Sequence, residues 1–204
     1  MINKIVDSVA EALKDVKDGS TVLIGGFGTS GIPDALIDGL IEQGAKDLTV
    51  VNNNAGNGDQ GLAALLNAGR VRKIICSFPR PADYYVFDEL YGNGTIELEI
   101  VPQGNLAERL RAAGAGIGGF FCPTGYGTEL AEGKETRLIN GRWYVYEEPI
   151  HGDVALIKAE AGDRWGNLTY RKAARNFGPV MATAAKQTIA TVYELKELGE
   201  LDPE

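Results

Sequence analysis

The sequence is poor in the residues from which self-sufficient active sites are usually assembled. It has one histidine, His151, and two cysteines, Cys76 and Cys122, among 204 residues. Two thiols are too few for a disulfide framework and show no metal spacing, so both are expected to be reduced and structural, with no metal bound. Cys122 has no histidine or basic neighbour in the sequence to lower its pKa, which argues against a nucleophilic role. Positive charge is also short, with 20 Lys and Arg against 28 Asp and Glu and a formal net charge of −8. That balance argues against nonspecific nucleic-acid binding and against an anionic membrane surface. No apolar run reaches 18 residues, and the N-terminus from Met1 to Asp7 lacks the apolar stretch of a signal peptide. A soluble, cytoplasmic protein is expected.

What is present is glycine, 27 residues of it, with 44% hydrophobic content. The length suits one compact domain spanning residues 1–204 with a sizeable core. No internal repeat or low-complexity linker interrupts it. Apolar runs of strand length alternate with helical patterns, the βαβ rhythm of a mostly parallel sheet. The spacing of Ile5, Val9, Leu13 and Val16 predicts a helix over 4–16, followed by a strand at Val22 to Ile24. Helices are expected at 34–43, 62–66, 82–91 and 106–111, and strands at 48–51, 71–78, 96–101, 154–157 and 187–192. Asn140-Gly141 between two alternating runs predicts a hairpin that projects from the main sheet. The strand at 96–101 alternates with Glu97 and Glu99 and is placed near the sheet's edge.

The chain is organised around the turn after the first strand, Gly25-Gly26-Phe27-Gly28-Thr29-Ser30-Gly31, with Pro33 opening the next helix. Four glycines in seven residues can take positive φ or let a ligand approach the main chain, next to helical amides that attract anions. Such a turn can hold a phosphate or carboxylate, and it can also simply reverse the chain. It is neither a Walker loop nor a dinucleotide fingerprint, because the lysine and the glycine spacing are both wrong. After the second strand, Asn52, Asn53 and Asn54 stand where ligands bind in open α/β sheets. The same amides could equally hold a loop by side-chain-to-backbone bonds. Gln103, in the turn Pro102-Gln103-Gly104-Asn105, is either an ordinary turn residue or a neutral hydrogen-bond donor.

Other groups invite and resist functional readings. Glu147 and Glu148 form a carboxylate pair, which more often makes a solvated strand end. Arg70, Arg72 and Lys73 most simply solvate the start of a strand. Arg171, Lys172 and Arg175 could meet a phosphate, a substrate carboxylate or solvent. Glycines 114, 116, 118 and 119, followed by Gly125 and Gly127, form a second dense region, either main-chain donors beside an acyl group or close packing against a partner.

The whole run Asp18 to Pro33, with Asp-Gly before an apolar triplet, then Gly-Gly-Phe and Gly-x-Pro, resembles the signature of the family I coenzyme A transferases. Pro102-Gln103-Gly104, with Leu106-Ala107-Glu108-Arg109 behind it, is a second close match. The runs 76–80, 118–121 and 163–172 extend the resemblance over nearly the whole chain. They are most similar to A subunits acting on 3-oxoadipate, with the acetoacetate type next. The resemblance implies an open three-layer α/β/α sandwich with a mostly parallel sheet. It implies that residues 25–31 contact coenzyme A, that Asn52, Asn53 and Asn54 line the substrate site, and that Gln103 assists the acyl exchange. It implies CoA thioesters as substrates, succinyl-CoA and a 3-oxoacid, with no permanently bound cofactor.

In that family the nucleophile is a glutamate of a B subunit, in a Glu-Asn-Gly motif. No Glu-Asn-Gly occurs in this sequence. The chain is therefore expected to be half of an active site, in a hetero-oligomer whose other half is a CoA-transferase B subunit. The run Leu198 to Glu204 stops where members of the family ordinarily carry on. Two other classes fit the same residues: a noncatalytic module that binds CoA through the glycine turn, and a CoA hydrolase in which water intercepts the acyl-enzyme.

Overall fold

The computed structural model describes residues 2–202; Pro203 and Glu204, at the end of the C-terminal run, lie outside them. A six-strand parallel path forms its centre, in the order β10 (Ala185–Lys196), β8 (Gly152–Asp163), β1 (Thr21–Ile24), β2 (Leu48–Val51), β3 (Val71–Cys76), β4 (Glu97–Ile100). The short β9 (Leu168–Thr169) adds antiparallel to β8. Side chains alternate across this sheet into two cores. Val22, Ile24, Val50 and Ile74 meet α1 (Val9–Leu13), α2 (Asp34–Gln43), α3 (Leu62–Asn67) and α4 (Tyr85–Gly92) on one face. Leu23, Val51, Ile75 and Ile157 meet α5 (Gln103–Gly114) and α6 (Gly178–Thr183) on the other. This is the three-layer α/β/α sandwich expected, because strands buried on both faces must be covered twice.

The strand order fixes where a ligand can bind. The chain lays down β1 to β4 in one direction, then returns through α5 to place β8 on the far side of β1. The reversal lies between β1 and β8, and crevices at such points, beyond the carboxyl ends of the strands, are where open α/β sheets take ligands.

A second sheet stands apart, with β7 (Arg142–Glu147) between β5 (Phe120–Cys122) and β6 (Thr136–Ile139). Asn140 and Gly141 both have positive φ, 49° and 79°, as a two-residue hairpin turn twisted with its strands requires. The projecting hairpin is as expected. Part of the second glycine-dense region enters this sheet as β5.

Several boundaries differ from the sequence expectation. The first helix begins at Val9, where the Ser8 hydroxyl accepts the Glu11 amide as an N-cap; Lys4 lies outside it, and its amide donates to the Arg164 carbonyl. That hydrogen-bonded cap outweighs the apolar spacing of Ile5. Pro33 is the N-cap of α2 rather than its first residue. The strands β8 and β10 run to 12 residues each, because they pair with one another over nearly their full lengths. Arg70 turns inward to the Ile41 and Gly44 carbonyls at the end of α2, while Arg72 pairs with Glu97 and Lys73 with Glu99. Glu147 corrects the reading of a solvated strand end. It is 3% exposed and takes hydrogen bonds from Asn105 and Lys134.

Three carboxylates hold parts of this frame together as anions. Asp163 accepts the amides of Trp165 and Asn167 and the Asn167 side chain, closing the turn into β9. Those hydrogen bonds, led by the Asn167 side chain, hold its pKa below the usual range. Lys186, then the Thr21 amide, does the same for Asp153. At Glu99 burial pushes the pKa up, and Lys73 and Arg109 together outweigh it. All three folded values lie below the unfolded ones, so their stabilisation is complete above the unfolded pKa and is lost as pH falls through the folded values. The urea midpoint should hold steady from pH 7 to about 5 and fall below about 4. In Asp163→Asn the acid decline should be shallower, starting from a lower midpoint at pH 7. An unchanged slope would show that Asp163 does not titrate as described.

Candidate active site

Four strand ends deliver the site. The glycine turn follows β1, Asn52 to Asn54 follow β2, Ser77 and Phe78 follow β3, and Gln103 follows β4. Together Phe27, Gly28, Asn53, Asn54, Ser77, Phe78, Pro81 and Gln103 line a cleft of about 480 Å³. Phe27 and Phe78 are 48% and 57% exposed, so two aromatic rings face this open cleft. The lining holds no carboxylate, imidazole or thiol.

The glycine turn is a tight reversal. The amide and carbonyl of Phe27 exchange hydrogen bonds with those of Ser30, both at 3.0 Å, with Gly28 and Thr29 between them. Gly26, Gly28 and Gly31 all have positive φ. The turn is fastened from outside by Asn176. Its Oδ1 accepts the Gly26 amide at 3.1 Å, and its Nδ2 donates to the Ser30 carbonyl at 3.0 Å and the Ala173 carbonyl at 2.8 Å. Nothing local marks Asn176 for this role, since it acts 146 residues from Ser30. The neighbouring Arg171, Lys172 and Arg175 are exposed, with Arg175 resting over the Tyr170 ring.

The three asparagines divide their work. Asn52, 1% exposed, donates to the Ile24 carbonyl at 2.7 Å and accepts the Asn54 amide at 2.9 Å. Asn54 accepts the Gly56 amide at 2.9 Å and reaches the Gly28 carbonyl at 3.4 Å. Those two hold the loops, as side-chain-to-backbone bonding would have it. Asn53 instead turns its side chain to Gln103 and Ser77. Gln103 is not in a free turn, because it is the first residue of α5 after the N-cap Pro102. The residue is exposed, and its carboxamide donates through Nε2 to Asn53 Oδ1 at 2.8 Å.

The cysteines stand outside this chemistry. Burial pushes the Cys76 thiol up to about 12, so it stays protonated and inert. Cys122 donates its weak hydrogen bond to Asn105.

Chemically, the cleft offers neutral amide donors, the first turn of a 12-residue helix and two apolar rings. It can bind an acyl group and stabilise negative charge developing on a carbonyl oxygen. Its one hydroxyl, that of Ser77, is hydrogen-bonded to Asn53 and has no base in the lining to activate it, so the lining supplies no activated nucleophile. Gly26 and Gly28 separate the turn's structural role from its role in the cleft. A Cβ at Gly26 would sit 2.2 Å from Ile32 Cδ1, whereas one at Gly28 meets nothing within 4 Å. Gly28→Ala should cost only the left-handed backbone strain, about 1–2 kcal/mol, and fold while losing CoA-thioester affinity or turnover. Gly26→Ala should lower the melting temperature further. Normal turnover and affinity in Gly28→Ala would remove the turn from the site.

The chain is similar over its whole length to proteins of known sequence and structure. The chain is 70% identical to the A subunit of the 3-oxoadipate CoA-transferase of Pseudomonas putida, over all of its length and 88% of that protein. It is 50% identical to the A subunit of the probable succinyl-CoA:3-ketoacid coenzyme A transferase of Bacillus subtilis, over all of this chain and 84% of the other. Among solved structures, a variant of the AibA/AibB decarboxylase superposes with a TM-score of 0.83 at 27% identity, covering 100% of this chain and 79% of that one. An acyl-CoA transferase from E. coli O157:H7, in a thioester complex with CoA, gives 0.82 at 22% identity, over 98% of this chain and 44% of the other. That last likeness concerns the fold. The coenzyme A transferase model matches residues 6–204, and the chain belongs to the coenzyme A transferase family.

Proposed function

We propose that the chain is the A subunit of a 3-oxoacid CoA-transferase that moves CoA from succinyl-CoA to 3-oxoadipate. The observation that carries this reading is a cleft with acyl-binding equipment and no activated nucleophile in its lining, since Ser77 has no base there. The acceptor follows from the 70% identity to the P. putida protein. The missing carboxylate comes from a B subunit of similar fold, and Gln103 of this chain faces it across the interface.

The chemistry then needs no net proton transfer. The partner's glutamate attacks the succinyl-CoA carbonyl, forming an anhydride and releasing CoA thiolate. The thiolate attacks the glutamyl carbon of that anhydride, which frees succinate and leaves a glutamyl-CoA thioester. The 3-oxoadipate carboxylate repeats the exchange in reverse order and leaves as 3-oxoadipyl-CoA. Each attack places negative charge on a carbonyl oxygen, and dividing one hard exchange into such steps is the general logic of nucleophilic catalysis. Gln103 donates to that oxygen through the N–H not used by Asn53. A lysine there would hold the glutamate in an ion pair and blunt it as a nucleophile; a carboxamide does not. The glycine turn, residues 25–31, receives the CoA portion through its main chain. Closure by the partner keeps water from the acyl-enzyme.

The 50% identity to the B. subtilis protein supports a second reading, with a different 3-oxoacid as acceptor. Assays of the reconstituted pair against 3-oxoadipate and acetoacetate separate the two. The pair should prefer 3-oxoadipate, and the purified chain alone should be inactive. Robust transfer by the chain alone would overturn the proposal. Gln103→Ala should slow the pair by about tenfold to a hundredfold with the fold intact, the loss expected for one positioned donor. Unchanged turnover would make Gln103 a structural residue.

A further inference from the structure

Gln103, the exposed first residue of α5, carries its carboxamide at the end of a flexible side chain. Its terminal torsion is broad and costs little to rotate. A donor so placed points at a reacting oxygen for only part of the time unless something outside the helix holds it. That holder is Asn53, fifty residues earlier in the chain, whose Oδ1 accepts from Gln103 Nε2 at 2.8 Å. The same oxygen accepts from the Ser77 hydroxyl, also at 2.8 Å.

Asn53 is itself held through its backbone carbonyl and its side-chain oxygen. Its carbonyl accepts the amides of Ser77 and Phe78 at 3.2 and 2.9 Å, and the residues flanking it are tied by Asn52 to Ile24 and to each other. It is 3% exposed. With two donors on Oδ1, both lone pairs of that oxygen are used, so it has none left for a ligand. Ser77 is half-buried at the carboxyl end of β3, and its hydroxyl, besides the shorter bond to Oδ1, lies 3.2 Å from the Asn53 carbonyl, so both of its acceptors belong to Asn53.

We infer that Asn53 and Ser77 are positioning residues that orient the Gln103 carboxamide, so that its second N–H points into the cleft. The inference rests on the reading of Gln103 as the donor in the acyl exchange. It gives Asn53, which lines the cleft, a supporting role as well, and it assigns a role to Ser77, which the sequence marks only within the run 76–80. The network is neutral throughout. Its loss should therefore lower the rate by the same factor at every pH at which the protein is folded.

The test uses the chain reconstituted with its partner, and four variants: Ser77→Ala, Ser77→Thr, Gln103→Ala and the Ser77→Ala Gln103→Ala double. Ser77→Ala should lower kcat about threefold to thirtyfold with KM for succinyl-CoA little changed, the signature of an interaction expressed in the transition state. Ser77→Thr, which keeps the hydroxyl, should recover most of the rate. The double variant should be no slower than Gln103→Ala, because Ser77 acts only through Gln103. A second readout is independent of turnover: in the ¹⁵N-labelled protein, the Gln103 side-chain amide resonances should move towards free-glutamine positions in Ser77→Ala. If Ser77→Ala fails to fold, Ser77→Cys keeps the volume, loses the strong donor, and should give the same rate loss and resonance shift.

Full activity in Ser77→Ala beside a slow Gln103→Ala would overturn the positioning role alone. So would losses that multiply in the double variant, or Gln103 resonances that stay in place. Full activity in Gln103→Ala would overturn the donor reading, and the inference with it.

Discussion

A buried carboxamide at the carboxyl end of the sheet sets the geometry on which the rest depends. Asn52 spans from β2 to β1, donating to the Ile24 carbonyl at 2.7 Å while its oxygen holds the Asn54 amide. An unpaired group at that depth would cost about 1–3 kcal/mol, so the two loops are kept in one arrangement rather than several. The arrangement brings Gly28 beside Asn54 and leaves Asn53 facing Gln103. Asn176 completes it from β8's side of the reversal, closing the glycine turn through its own side chain. The site is thus a set of backbone turns and amides locked by other amides.

Charge is handled with the same economy. The chain has a net charge of −8 and binds, on the reading above, ligands that are themselves anions. The cations of β3, α5 and the loop before β6 are engaged in ion pairs outside the cleft lining. Lys73 and Arg109 hold Glu99, and Lys134 meets the buried Glu147 where α5 joins the small sheet. Breaking such a buried pair by removing one partner is costly, which suits a joint that must fix the helix carrying Gln103. The cleft itself stays uncharged, and a nucleophilic carboxylate brought by a partner would meet donors without being neutralised.

Much of this could be read from the residues. The helix 34–43, the strand 48–51, the hairpin at Asn140-Gly141 and the edge position of the 96–101 strand all follow from local pattern, and all are present. The carboxyl-end placement of the glycine turn, the asparagines and Gln103 followed from the βαβ order alone. Long-range partners were not legible. Glu147 looked solvated because Arg109 and Lys134 reach it from other elements. Asn176 gave no local signal, and Ser77 is an ordinary strand-end serine until Asn53 is placed beside it. The first helix was overextended because the apolar spacing of Ile5 continued past the Ser8 cap. In each case the deciding contact joins segments far apart in sequence or a cap that periodicity does not register.

On the proposed function this chain supplies half of an active site and none of its covalent chemistry. Incubating the reconstituted pair with succinyl-CoA, reducing the trapped thioester with borohydride and mapping the modified peptide by mass spectrometry tests that division directly. One glutamate of the partner chain should carry the modification, with every carboxylate of this chain left unmodified. A label on any Asp or Glu of this chain would contradict it.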